Sequence, residues 1–231
     1  TMPGKFGTDY EHARWDDTPR LRGQREMLES TLRRLVLPHI VSAQTILEVG
    51  PGPGTWTRIL REKNTSAAYT LVDISREMLA RAKQALGEDM GIEFVESDFT
   101  QYQPGKVFDV VFSSRAIEYM PDKSAVAKKV AELLASDGFA AIVTKMPKPL
   151  LDRIARRRLS SLHKGQISPW TLMMLFRRAG LSAEVHLAIA NVPLIGFPLL
   201  NKVAYALFRF LPMIPPLSWF AESYIVLVRK L

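Results

Sequence analysis

The sequence predicts a doubly wound α/β fold, a mostly parallel sheet with helices on both faces, across its 231 residues. Three observations predict it. Short β-branched and apolar runs alternate with helical stretches from residue 45 onward. The first run ends in an acidic residue, Glu48, and enters a loop with glycine at positions 50, 52 and 54. The second run ends in another acid, Asp73, where a doubly wound sheet holds a ribose.

The elements follow in order. Over residues 21–40, Leu21, Met27, Leu28, Leu32, Leu35 and Val36 form one apolar stripe, so a single amphipathic helix is expected, ending near Pro38. Strands are expected at 45–49, 68–72, 92–95, 107–112 and 139–144, then at 183–189 and 224–228. Between them, Ser75 caps a helix over 76–86 that stops at Gly87. A helix over 124–134 ends before the Asp137-Gly138 turn, and Ser168-Pro169 opens one that ends at Gly180. No repeat or low-complexity tract interrupts this rhythm, so residues 146–167 and 192–220 read as insertions beside the core.

Composition narrows the chemistry. Lys plus Arg number 31 against 23 Asp plus Glu, a net charge of +8 that attracts anions of any kind. With no cysteine, the chain has no disulfide, no thiolate nucleophile and no iron–sulfur cluster held by its own thiolates. No metal site is expected. Residues 1–25 are polar and mixed in charge, unlike a secretory leader, and a cytoplasmic location is expected. The apolar stretch 192–220 is broken by Lys202, Arg209 and five prolines, too interrupted for a spanning helix.

In the loop Gly50-Pro51-Gly52-Pro53-Gly54-Thr55, glycine lets the backbone turn sharply and a ligand lie against it. Proline donates no amide, so Gly52, Gly54 and Thr55 are the donors expected to be available. The spacing is neither the dinucleotide G-x-G-x-x-G nor a P-loop, which needs Gly-Lys-Ser/Thr. Asp73 can accept both hydroxyls of a ribose, and the apolar Ile74 and Met78 can flank a purine ring.

By the order and spacing of these motifs over residues 46–144, the chain resembles the class I S-adenosylmethionine-dependent methyltransferases, in particular their small-molecule group. The resemblance implies a Rossmann-like sheet of seven strands with the last one antiparallel. It implies that Glu48, Gly50 and Gly52 lie against the methionine part of the cofactor, that Pro51 and Gly54 also belong to the cofactor-binding loop, and that Asp73 binds the ribose. Ser97, Asp98 and Phe99 would read the adenine, and Ser114 and Arg115 would lie under the methionine. Family members often carry Leu-Glu-His after the fourth strand, where this chain has Ile117-Glu118-Tyr119. Glu118, Tyr119 and the more distant His163 are therefore the candidates for the acceptor site. The sulfonium already activates the methyl group, so no metal is required.

Length and composition read as a single domain over 1–231, with a lid and helix in 1–40, a cofactor-binding core in 41–146 and substrate-side elaborations in 147–231. Tyr10 and Trp15 are the lid candidates. Residues 150–164 set Leu150, Ile154, Leu159 and Leu162 against Arg153, Arg156, Arg157, Arg158 and Lys164. Residues 199–211 are more apolar, with a narrow polar stripe of Asn201, Lys202, Tyr205 and Arg209. Two readings of these segments stand at this point. Their apolar faces pack on the chain's own sheet or on a second copy in a homodimer, or they dock on the anionic inner surface of a membrane and admit a lipid-like acceptor. Nucleic acid is not an expected partner, because Ser113-Ser114-Arg115 is not the Asn/Asp-Pro-Pro-Tyr loop that grips a base amine. RNA methylation remains an alternative that the charge permits. So does an idle cofactor-binding module for membrane or partner attachment.

Overall fold

The computed structural model describes residues 18–87, 90–147, 165–191, 198–211, 213–214 and 218–230. Its strands are β1 (Thr45–Val49), β2 (Ala68–Asp73), β3 (Ile92–Glu96), β4 (Phe108–Ser114), β5 (Leu134–Lys145), β6 (Ser182–Ala190) and β7 (Ala221–Arg229). They form one sheet in the order β3-β2-β1-β4-β5-β7-β6. β7 is antiparallel to both of its neighbours, and the pairs among β1 to β5 are all parallel. This is the Rossmann-like sheet of seven strands with an antiparallel last strand that the resemblance implies. Near-continuous apolar strands such as β1, where Ile46 and Leu47 are fully buried, are what a sheet covered on both faces requires.

Helices α1 (Pro19–Leu35), α2 (Leu37–Ile40), α3 (Thr55–Lys63), α4 (Arg76–Leu86), α5 (Lys123–Leu133), α6 (Pro169–Arg178) and α7 (Pro198–Phe208) complete the described fold. The single helix expected over 21–40 is two. Pro38 lacks an N–H and its ring would collide with the carbonyl of Arg34, so α1 stops at Leu35 and Pro38 sits in the first turn of α2. Ser75 and Ser168 cap α4 and α6 as expected, each accepting an amide hydrogen bond. The cap of α5 is Asp122, not a residue of the 124–134 segment, and it accepts from the amides of Ser124 and Ala125 at 2.8 and 2.9 Å.

The Asp137-Gly138 turn lies inside a strand. β5 begins at Leu134, and its register against β4 shifts between the Phe108–Leu134 and Val110–Phe139 pairs. Five steps along β5 oppose two along β4, an excess of three residues, and Asp137 lies in this stretch at φ +61°. Lys230, from the far end of the chain, donates through Nζ to the carbonyls of Ala131 and Leu134 at 2.9 and 2.8 Å. Local turn chemistry is thus absorbed by a tertiary partner.

At the amino end of β1, one carboxylate aligns two strands. Asp109 Oδ2 accepts from the amides of Gln44 and Thr45 at 2.8 and 2.9 Å, which sets β4 against β1. The opposite, carboxyl ends of β1 and β4 are thereby level with each other.

The helix read over 199–211 is oriented opposite to an ordinary amphipathic one. In α7 the polar Asn201 and Tyr205 are buried at 5% exposure, while Leu199, Val203 and Leu207 face outward at 71, 47 and 64%. The hydroxyls of Tyr205 and Thr31 are hydrogen-bonded at 2.8 Å, and Thr31 Oγ1 lies 3.0 Å from the carbonyls of both Met27 and Ala188, so Tyr205 is tied to α1 and β6. Ala204 and the partly buried Phe208 of α7 pack against the core, whereas Leu199, Val203 and Leu207 stay on its outer side. Residues 150–164, Tyr10, Trp15 and His163 lie outside the described residues. No described helix is long and apolar enough to cross a membrane.

Candidate functional site

The chain leaves β1 toward β2 on one side and returns to β4 on the other, so β1 and β4 flank the topological switch point where an open α/β sheet leaves a crevice. The glycine loop lies there. Gly50 donates to the carbonyl of Val72 at 2.8 Å, and Ser113 Oγ donates to that of Val49 at 2.9 Å, tying the loop to β2 and β4. Gly50 has φ +67°, and a Cβ on it would stand 2.2 Å from Ala116 Cβ. Gly52 has φ +56°, and a Cβ there would meet no protein atom within 4 Å. One glycine is required by the protein's own packing; the other faces open space.

The amides expected to be available are not all left open by the loop. Gly54 donates to the carbonyl of Pro51 at 3.1 Å, and the Gly52 amide faces the carboxylate of Asp73 closely enough to lower its pKa. The sequence shows which loop residues lack a donor but not how a tight turn satisfies those that have one.

The two strand-end acids differ in setting. Glu48 is 1% exposed and receives a single hydrogen bond, from Thr57 Oγ1 at 2.7 Å. Burial outweighs that bond and pushes its carboxyl up to about 7. Asp73 is also raised by burial, against the amides of Ser75, Gly52 and Ile74 that hold it down. Ser75 donates to its Oδ1 at 2.9 Å. Ser97 donates its amide to the carbonyl of Asp73 at 3.0 Å, so the loops after β1, β2 and β3 converge on this residue. Ile74 stands beside it at 73% exposure, an apolar side chain uncovered at the crevice, and Met78 is half-buried. Asp98 is exposed and caps its own turn, accepting from the amide and hydroxyl of Thr100 at 2.8 and 2.7 Å, while Phe99 is buried.

On the β4 side the candidates separate. Arg115 adopts φ +65° and places Nε 2.6 Å from Glu118 Oε1, and its Nη1 donates to Ser223 Oγ at 3.1 Å. Glu118 is buried and also accepts from the amide of Lys145 at 2.9 Å. Lys145 Nζ pairs with Glu222 at 3.3 Å. Tyr119, the next residue, is 61% exposed. The hydroxyl of Ser114 is buried without a hydrogen-bond partner. Glu118 and Tyr119 are therefore neighbours in sequence with different surroundings, one side chain buried and the other exposed.

Sequence reasoning missed Thr57, Lys145, Glu222 and Ser223. The spacing of Arg115 and Glu118 carries a local signal, but Lys145 and Ser223 meet only because β5 and β7 pair in that register. No group of three His, Cys, Asp or Glu residues able to hold a metal ion occurs among the described residues.

A family model described as a methyltransferase domain matches residues 47–140. Among curated proteins, the trans-aconitate 2-methyltransferase of an Azoarcus species is 29% identical over 134 residues, covering 58% of this chain and 51% of that protein. The same enzyme from Klebsiella pneumoniae is 31% identical over 126 residues, covering 54% of this chain and 46% of that protein. The chain spans about half the length of the curated relatives it matches. A solved S-adenosylmethionine-dependent methyltransferase from Archaeoglobus fulgidus superposes with a TM-score of 0.64 at 19% identity, covering 96% of this chain and 98% of that one. An N-methyltransferase from Bradyrhizobium japonicum, solved with S-adenosyl-L-homocysteine, superposes with a TM-score of 0.60 at 16% identity, covering 93% of this chain and 89% of that one.

Proposed function

We propose that this chain is a class I S-adenosylmethionine-dependent methyltransferase that transfers the methyl group of that cofactor to a small-molecule acceptor at the carboxyl edge of β1 and β4. The observation that carries the reading is the junction of Glu48, Gly52 and Asp73, which sets a buried acid, an open backbone position and a second acid along one crevice. A sulfonium nucleoside with a cationic amino group fits that order of charges. Glu48 would face the amino group, Gly52 would let the chain of the amino acid pass, and Asp73 would accept the ribose hydroxyls. Ile74 and Met78 would flank the purine, with Ser97, Asp98 and the Phe99 amide at its polar edge.

The bound cofactor supplies an activated methyl carbon, and the protein aligns the acceptor for in-line displacement: the acceptor's lone pair bonds to carbon as the carbon–sulfur bond breaks toward sulfur. Glu118 is held by Arg115 and the Lys145 amide, and we assign it to positioning Arg115 rather than to taking a proton. Tyr119 would line the mouth, with His163 as a further acceptor-side candidate. A carboxylate acceptor, which needs no base, fits this arrangement, and the trans-aconitate enzymes are similar proteins in keeping with it. In this reading residues 41–146 hold the cofactor and 147–231 the acceptor. A lipophilic form of that acceptor, met at the inner surface of a membrane, is part of the proposal.

Two measurements test the cofactor half. Asp73→Ala is expected to weaken S-adenosylmethionine binding by about 1–3 kcal/mol in calorimetry, because the ribose loses a charged acceptor. Tighter binding of NAD than of S-adenosylmethionine would redirect the assignment. Gly52→Val is expected to abolish detectable binding while the chain stays folded, since its side chain enters open space and not the core. Gly105→Val, at another positive φ with open surroundings, controls for backbone strain and should leave affinity unchanged. Unchanged affinity in folded Gly52→Val would remove the basis of the site.

A further inference from the structure

Of the fourteen large hydrophobic residues exposed among the described residues, eight fall within 199–219. Leu199, Val203 and Leu207 repeat every four residues along the outward face of α7, and Phe210 continues the stripe at 65% exposure. Trp219, at 59%, adds a large amphipathic ring from the segment before β7. A helix that buries its Asn and Tyr and shows its Leu and Val to the outside is arranged for an apolar medium. The inversion is held in place by the Tyr205–Thr31–Ala188 hydrogen bonds, so it belongs to the tertiary structure rather than to loose packing.

Charge stands beside the stripe. The guanidinium groups of Arg34 and Arg209 lie 5.2 and 4.7 Å from the ring of Phe210. Arg34 donates to the carbonyl of Arg209, and the Nε atoms of both arginines are buried without a hydrogen-bond partner. The acids nearby are already paired: Glu26 with Lys202 at 2.5 Å and Glu29 with Arg33 at 2.7 Å. Two cations beside an exposed aromatic ring, on a chain of net charge +8, complement phosphate groups lying above acyl chains.

We propose that the outward face of α7, with Phe210, Trp219, Arg34 and Arg209, docks this protein on an anionic phospholipid bilayer. The proposal deepens the reading above and rests on it for the lipophilic acceptor. β5 and β6 are both antiparallel to β7 and so run in the same direction, which puts the carboxyl end of β6 on the edge that holds Arg115 and Glu118. α7 follows β6 from that edge. Docking through α7 would bring the acceptor side of the crevice to the lipid surface, while Asp73 lies on the opposite side of β1.

Flotation of the full chain with phosphatidylcholine vesicles, with and without phosphatidylglycerol, is the test. The wild type is expected to float with the anionic vesicles at low salt, less with the neutral ones, and less again at high salt. Val203→Glu with Leu207→Glu alters two solvent-facing positions and is expected to cut the vesicle-bound fraction by roughly tenfold or more. Its circular dichroism and S-adenosylmethionine affinity should stay as in the wild type. Arg209→Gln is expected to reduce the preference for anionic over neutral vesicles. The proposal is overturned if the wild type stays in the soluble fraction on anionic vesicles at low salt, or if the double variant floats as well as the wild type. It is also overturned if sedimentation shows a lipid-free dimer that the double variant makes monomeric, since the face is then a subunit interface. Flotation without cofactor binding would leave the docking surface standing and remove the methyl-transfer reading instead.

Discussion

Glu48→Gln is expected to remove a large pH-dependent term from the stability of the fold. Glu48 is 1% exposed, and its carboxyl is raised from 4.5 to about 7 by burial. A raised acid keeps its proton in the native state after the unfolded chain has released it. Stability therefore falls as pH rises from about 4.5 to about 7 and levels off above that, where both states are ionised. Integrated over this window, the wild type loses about 3 kcal/mol from this one group. Urea unfolding at pH 5 and pH 8 should show that loss in the wild type and a much smaller one in Glu48→Gln. Equal pH dependence of the two proteins would mean that Glu48 is not the buried acid described.

The same substitution reports on the cofactor. If the amino group of S-adenosylmethionine lies against Glu48, binding favours the charged carboxylate, so affinity should rise as pH rises toward 7 and a proton should leave on binding. Calorimetry near pH 7 in buffers of different ionisation enthalpy should detect this proton in the wild type and not in Glu48→Gln. Loss of the charge should also cost about 1.5–3 kcal/mol of binding. A stabilising change and a binding defect from one isosteric substitution would not arise from a residue that only packs.

Gly50→Ala is the second large effect. The added Cβ would stand 2.2 Å from Ala116 Cβ, a separation at which one of the two backbones must move. The conformation at φ +67° costs an L-residue about 1–2 kcal/mol. The forced contact adds about 1–3 kcal/mol, as overpacking does elsewhere. Gly52→Ala isolates the first cost, because nothing lies within 4 Å of its Cβ position. Ala116→Gly in the Gly50→Ala background should recover the second, since it removes the atom in collision. The pair is therefore expected to be non-additive in thermal or urea unfolding. Additive losses, or equal losses at positions 50 and 52, would contradict the packing described.

The readable and unreadable parts divide along a physical line. Ser75 and Ser168 were legible because an N-cap acts on amides three residues away. The glycine loop and the strand-end acids were legible because a sharp turn and a strand register are local demands on residue type. Asp137-Gly138 marked the break between the helix and the strand pairing from Phe139 onward, but Lys230 and the β4 register around it are not local and were not legible. Glu118 was found as a candidate, but its surroundings came from Lys145 on β5 and Ser223 on β7, neither of which any spacing connects to it. The stripe of Asn201 and Tyr205 was visible as periodicity, yet periodicity is symmetric and does not say which face is inside.

By itself, the sequence determined the α/β alternation, the parallel sheet, the glycine loop and the places of Glu48 and Asp73. Each rests on backbone geometry over a few residues, where amino-acid type decides the outcome. Tertiary structure alone decided that burial raises Glu48, that Arg115 and Glu118 are locked together, and that α7 turns its apolar face outward. These depend on solvent exclusion and on contacts between residues far apart in the chain, which are properties of the packed molecule.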